Sequence, residues 1–135
     1  MNENQIFTEL ESPFDVAITA EKLIEEALKR GWQNPATHDL QQSLAKSGKE
    51  VRPVQVIEIC KPEFSGKMLE LNHERIVSVI MPCRISVYQK EDGKAYIALL
   101  NMESMGAGLP QTAISAIQGA SAESMEIVKK VLSNF

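Results

Sequence analysis

Residues 83–100 read CRISVYQKEDGKAYIALL: two stretches rich in β-branched, aromatic and aliphatic side chains, joined through Glu91-Asp92-Gly93. That composition predicts a β-hairpin, and its register decides the fold. A two-residue turn at Asp92-Gly93 sets Val87 opposite Ala98 and Tyr88 opposite Ile97, mixing the two faces. A three-residue loop with Gly93 in the left-handed conformation pairs Val87 with Ile97, Ile85 with Leu99 and Tyr88 with Tyr96. Opposed residues share a face, so only the second register gathers the aliphatic side chains on one side. It also puts Cys83 opposite Asn101, on the aliphatic face.

Upstream, residues 76–81 are apolar on both sides and read as a strand or extended run buried on both faces. Residues 52–60, RPVQVIEIC, form a further β-branched strand closed by Lys61-Pro62. Between these strands residues 63–71 read as a helix using Phe64, Met68 and Leu71, with Gly66 as its weak point. A short helix capped by Thr37 faces inward through Leu40, Leu44 and Ala45 and stops at Gly48. The first helix is capped by Ser12, with Pro13 at its first position and Asp15 at the positive end of the dipole. Its inner face runs through Ala17, Ala20, Ile24, Ala27 and Gly31, widened by Phe14, Leu23 and Leu28. Glu25 with Lys29 and Glu26 with Arg30 form i,i+4 pairs on the wet side, and Gly31 ends the helix. Residues 5–11 contribute an N-terminal strand. Downstream of the hairpin, residues 110–133 are helical, with Ile114, Ile117, Ser121, Met125, Val128 and Leu132 inward, a bend at Gly119 and a new cap at Ser121.

The order β-α-α-β-α-β-β-β-α has too many hairpin-type neighbours for a doubly wound parallel sheet. It predicts an α+β fold, a mainly antiparallel sheet with helices packed largely on one face in two layers. No repeat, low-complexity tract or linker divides the chain, so residues 1–135 are read as one domain. With 14 Lys+Arg against 18 Asp+Glu and a formal net charge of -4, there is no basic footprint for nucleic acid. The longest apolar stretch, residues 76–83, is far too short to span a bilayer, and the polar start of the chain does not resemble a secretory leader. A cytoplasmic location is expected, with Cys60 and Cys83 reduced there and a conditional disulfide left open.

Cys60 and Cys83 are the positions with most chemical content. Each lies at a strand end beside a proline and a basic residue, and Lys61 and Arg84 can lower a thiol pKa. Adjacent strands would let the two thiols cycle to a disulfide. The ordinary account is that both are small buried hydrophobes. Glu58, on the same strand face as Cys60, either points into a cleft or is solvated at an edge. His38 and His73 complete an inventory of two Cys and two His, but no pair has the short spacing that organises zinc, and no metal site is assigned. Either histidine can serve as a general base, yet no Ser or Cys has a partner visible in sequence. Gly106-Ala107-Gly108 precedes a helix and can hold an anion, but position 111 is Gln111, so the dinucleotide fingerprint is incomplete. Met102 and Met105 beside it can line an adaptable apolar pocket.

The segments PVQVIEICKP at residues 53–62 and MPCRISVY at residues 81–88 resemble the prokaryotic domain of unknown function 302 family. That family shows a Cys-x-Pro step after one strand and a Pro-Cys step before another. The resemblance runs over residues 12–132 and implies a small α+β fold, often dimeric, without an established activity. It matches Cys60, Pro62, Pro82 and Cys83 to the family pattern and carries no role onto His38-Asp39-Leu40-Gln41.

Three functions stay open. The first is a non-enzymatic binding or sensing homodimer with a small ligand near Cys60 and Cys83, flanked by Glu58, Lys61 and Arg84. The second is a thiol-dependent enzyme or redox switch using Cys60 as nucleophile and Cys83 as partner. The third is a structural or interaction module without ligand. No cofactor is identified by any of them.

Overall fold

A computed structural model describes residues 6–101 and 109–133. The strands β1 (Phe7–Ser12), β2 (Thr37–Asp39), β3 (Val54–Ile59), β4 (Cys83–Gln89) and β5 (Ala95–Leu100) form one sheet in the order β1-β5-β4-β3-β2. Every neighbouring pair is antiparallel. The helices are α1 (Val16–Lys29), α2 (Leu40–Ala45), α3 (Pro62–Leu69) and α4 (Gln111–Leu132), with a 3-10 helix at His73–Ile80. This is the expected α+β architecture. None of the described helices is long and apolar enough to cross a membrane.

The hairpin has the register that segregates its faces. Val87 opposes Ile97, Ile85 opposes Leu99 and Tyr88 opposes Tyr96, and Gly93 takes a φ of +81°, a conformation that favours glycine. The described β4–β5 ladder ends at Ile85 and Leu99, short of Cys83. On the inner face Ile57, Ile59, Ile85, Val87, Ile97 and Leu99 pack against Val16, Ala20, Leu23 and Ala27 of α1 and Ala120, Ile127, Val128 and Val131 of α4. No helix covers the outer face in this cluster, so the fold has two layers.

Several local expectations change. Asp15, not Ser12, caps α1, and its carboxylate accepts the Ile18 N–H at 2.8 Å. Ser12 instead ends β1 facing inward, where its hydroxyl lies 2.7 Å from the buried Thr19 hydroxyl and accepts the Phe14 N–H. Ala17 and Leu28 are exposed, and Val16 and Thr19 take the inner face in their place. Thr37 belongs to β2 and Asp39 caps α2, accepting from the Gln42 N–H. Pairing with β3 outweighs an early helix start there. Leu40, Leu44 and Ala45 stay exposed because α2 buries no residue.

Residues 76–81 are no strand. They belong to the 3-10 helix and its cap, and the reason is occupancy: both edges of β4 are already hydrogen-bonded, to β3 and β5. In the 3-10 turn Val77 is buried while Ile76 and Val79 are 71% and 83% exposed. Helix α4 runs unbroken through Gly119 and Ser121. Its inner stripe is built from Ala113, Ala116, Ile117, Ala120, Ser124, Ile127, Val128 and Val131, whereas Ile114, Ser121, Met125 and Leu132 are half-buried. Small residues let the elements approach closely: a Cβ on Gly119 would sit 2.6 Å from Phe64 Cε1. The N-terminal strand runs Phe7–Ser12; Gln5, the Gly106-Ala107-Gly108 segment, Met102 and Met105 lie outside the described residues.

Candidate functional site

Ile59 at the end of β3 pairs with Cys83 at the start of β4. Inward Ile59 fixes the orientation of Cys83, which packs at the margin of the main core. One residue further, Cys60 leaves this ladder. It forms an isolated bridge with Gln33, the two backbones exchanging hydrogen bonds of 2.7 and 2.9 Å. Pro62 then opens α3, since its fixed φ and missing N–H suit a first helical turn. Cys60 and Cys83, each partly exposed, thereby line one crevice of about 40 Å³. Its walls come from Trp32, Phe64 and Met68 beneath, Ile80, Met81 and Pro82 on the approach to β4, and Ala116, Ile117 and Ala120 of α4. The Met81–Pro82 peptide is cis.

The electrostatics of the crevice favour neutral sulfur. Burial, and then the neighbouring Cys60, push the Cys83 thiol up to about 11, because an anion there loses water without gaining a cation. The flanking basic residues do not reverse this. Arg84 points to the outer face and approaches Glu58 Oε2 at 3.7 Å. Lys61 lines the crevice, but its ammonium donates to Glu123 Oε1 at 2.7 Å and lies 3.8 Å from Glu63. Trp32 Nε1–H donates to the same Glu123 oxygen at 2.8 Å. Burial alone would raise the Glu123 carboxyl; the hydrogen bonds from Lys61 and Trp32 outweigh it and hold that group below the usual carboxylate range. The Cys60 sulfur lies 3.5 Å from the Ser65 hydroxyl.

The structure divides the five residues singled out by sequence. Cys60, Cys83 and Lys61 gather at the crevice, while Glu58 and Arg84 oppose each other across β3 and β4 on the outer face. Glu58 is therefore not beside Cys60, since the strand ends before Cys60 and its side chain turns inward. Glu58 is instead bound by His38 at 2.9 Å, the histidine coming from β2. His38 is thus separated from the thiols by the sheet. Among the described residues no group of three or more His, Cys, Asp or Glu is placed to hold a metal ion. Sequence reasoning missed Met68 and Met81 as wall residues. The i,i+4 spacing of Phe64 and Met68, and the Met-Pro-Cys step, were the available signals.

At the other end of the outer face Glu9 accepts hydrogen bonds from Tyr88 Oη–H and, at 3.0 Å, from Lys90 Nζ. Between the two charged groups Phe7, Val56, Ala98 and Leu100 line an open apolar depression.

The model of the family described as "Domain of unknown function DUF302" matches residues 8–134. Among solved structures, the chain is similar to the crystal structure of an uncharacterized conserved protein DUF302 from Bacillus stearothermophilus, with a TM-score of 0.83 at 17% identity. The match covers 95% of this chain and 99% of that one, and at this identity it shows the shared fold. No curated protein matches.

Proposed function

We propose that this chain, which belongs to the DUF302 family, is a non-enzymatic binding or sensing protein that holds a very small ligand between Cys60 and Cys83. The observation carrying this reading is that both thiols line a single, mostly apolar crevice. Its size sets the ligand class. Organic ligands occupy pockets of about 300–1,000 Å³, and one water needs about 10–15 Å³. A crevice of about 40 Å³ matches an ion or a molecule of a few atoms. A thiol mechanism with Cys60 as nucleophile is less well supported, because the hydrogen-bonding neighbour of its sulfur is the Ser65 hydroxyl rather than a base, and its partner Cys83 is held protonated.

Native mass spectrometry of the protein isolated from its host tests this. Wild type carries a small non-protein mass that Cys60→Ser and Cys83→Ala both lose. Wild type emerging at its bare sequence mass overturns the proposal. A loss of two mass units, sensitive to reductant, would favour a disulfide switch instead.

The homodimer belongs to the same reading and is assigned to the outer face of the sheet. An isologous contact must complement itself. An apolar centre flanked by the mixed-sign groups Glu58–Arg84 and Glu9–Lys90 meets that condition. Light scattering should give a dimer for wild type and a monomer for Ala98→Glu; monomeric wild type at micromolar concentration refutes the assignment.

A further inference from the structure

Four sulfur-bearing residues line the crevice: Cys60 and Cys83 with their thiols, Met68 and Met81 with their thioethers. We propose that it is a binding site for a soft monovalent metal ion, Cu(I), ligated by Cys60 and Cys83 as thiolates with Met68 and Met81 as further sulfur donors. This rests on the reading of the crevice as the ligand site and names its chemistry.

The donor set selects the ion. Thiolate and thioether sulfur favour Cu(I), whereas carboxylate, carbonyl and water suit harder cations. Structural zinc takes four N, S or O ligands, and thioether is not among its usual ones. Only two such ligands are present here, and the described residues hold no larger His/Cys/Asp/Glu cluster. Cu(I) accepts two thiolates in a near-linear arrangement and tolerates weak thioether donors, so an incomplete zinc site is a sufficient copper site.

Loading balances simply. Cu(I) enters, two S–H bonds break, two Cu–S bonds form and two protons leave to solvent, with no change of oxidation state. The copper bis-thiolate unit carries one negative charge. The Ser65 hydroxyl, 3.5 Å from Cys60 sulfur, can donate to the thiolate. Because each thiol must release its proton to bind, affinity rises with pH. Both cysteines are partly exposed, which leaves an entry path.

The test is an anaerobic Cu(I) titration of the full chain in competition with bicinchoninate, with native mass spectrometry for stoichiometry and Zn(II) as the control. One Cu(I) per chain, no retained Zn(II) and a sulfur-only first shell at the copper X-ray edge are expected. Cys60→Ser and Cys83→Ala should each weaken binding by on the order of a hundredfold, and Met68→Leu or Met81→Leu by about tenfold. Circular dichroism verifies folding, and Met81→Leu serves if the buried Met68 variant unfolds. The inference falls if bicinchoninate keeps all the copper, if the double cysteine variant binds as tightly as wild type, or if nitrogen and oxygen dominate the first shell. Host-isolated protein carrying a different mass, lost with either cysteine, would reject copper while preserving the crevice as the ligand site. A bare host protein that also ignores Cu(I) would reject both.

Discussion

The Cys83 thiol is predicted to react slowly, and the structure sets by how much. Burial and the adjacent Cys60 raise it to about 11, against about 8.5 for an unperturbed cysteine. At pH 8 the thiolate fraction is then about 0.001 in the folded chain and about 0.24 in a free peptide, roughly a 240-fold difference. Higher basicity makes each thiolate more reactive: a Brønsted slope of about 0.45 over about 2.5 pK units returns roughly 13-fold. The net expectation is iodoacetamide alkylation about 20-fold slower than in an unfolded control, before any steric protection. The assay follows the Cys83 peptide by mass spectrometry from pH 7 to pH 10. The folded rate should climb about tenfold per pH unit throughout, without levelling. A plateau below pH 9, or a rate equal to the control, would show the sulfur to be solvated or paired with a cation and would refute the picture of a dry crevice.

Further outcomes follow from the same contacts. An acid whose folded pKa is raised keeps its proton while the unfolded chain loses it, so stability falls as pH rises from about 8.5 to 11; for Cys83 the loss is roughly 2–3 kcal/mol, and Cys83→Ala should flatten the urea-derived slope over that range. An unchanged slope would contradict it. Ser12→Ala strips the buried Thr19 hydroxyl of its partner and should cost about 1–3 kcal/mol, read from the urea midpoint; a neutral effect would show that hydroxyl to be satisfied elsewhere. Gly119→Ala gains about 1 kcal/mol of helix propensity but drives a Cβ to within 2.6 Å of the Phe64 ring. Displacing Phe64, whose ring lies 6.1 Å from Trp32, should outweigh that gain and change Trp32 fluorescence. A more stable variant with an unaltered spectrum would mean the ring moves aside freely.

The hairpin was legible because two local signals agreed: alternation fixed which residues share a face, and Gly93 fixed the loop. Helix α1 was legible in extent for the same reason, although its cap moved to Asp15 once Ser12 was drawn inward to Thr19. The 3-10 segment was misread because residues 76–81, with two isoleucines and two valines, have strand-like composition, and the saturation of β4 on both edges keeps them from pairing with it. The stripe on α4 was displaced because hydropathy weights large aliphatics. Close packing against α3 there rewards Ala113, Ala116 and Ala120 instead. At the site, two proline-flanked strand ends singled out Cys60 and Cys83, but their meeting depended on β3 lying beside β4, which the sequence left open. The outward turn of Arg84 away from Cys83 was within reach from alternation, but that of Glu58 from Cys60 was not, since alternation groups those two and only the end of β3 at Ile59 parts them. The two thioethers had only faint signals, the spacing of Met68 from Phe64 and the Met81-Pro82-Cys83 step, and the packing of α3 against α4 is what brings Met68 to the crevice.

The placement of β1 beside β5 has a consequence for how the chain is made. Ser12 pairs with Ala95 and Phe7 with Leu100, so this edge of the sheet waits for roughly 80 further residues to be polymerised. At about 5–20 residues per second that wait lasts several seconds. Throughout it the strand's amides and carbonyls lack their native mate, an invitation to pair with any extended neighbour on a polysome. Glu9 and Glu11, alternating along FTELES, put like charges on that ribbon and keep two nascent copies from zipping together. The carboxylate that later accepts the Tyr88 hydrogen bond thus first guards its own strand.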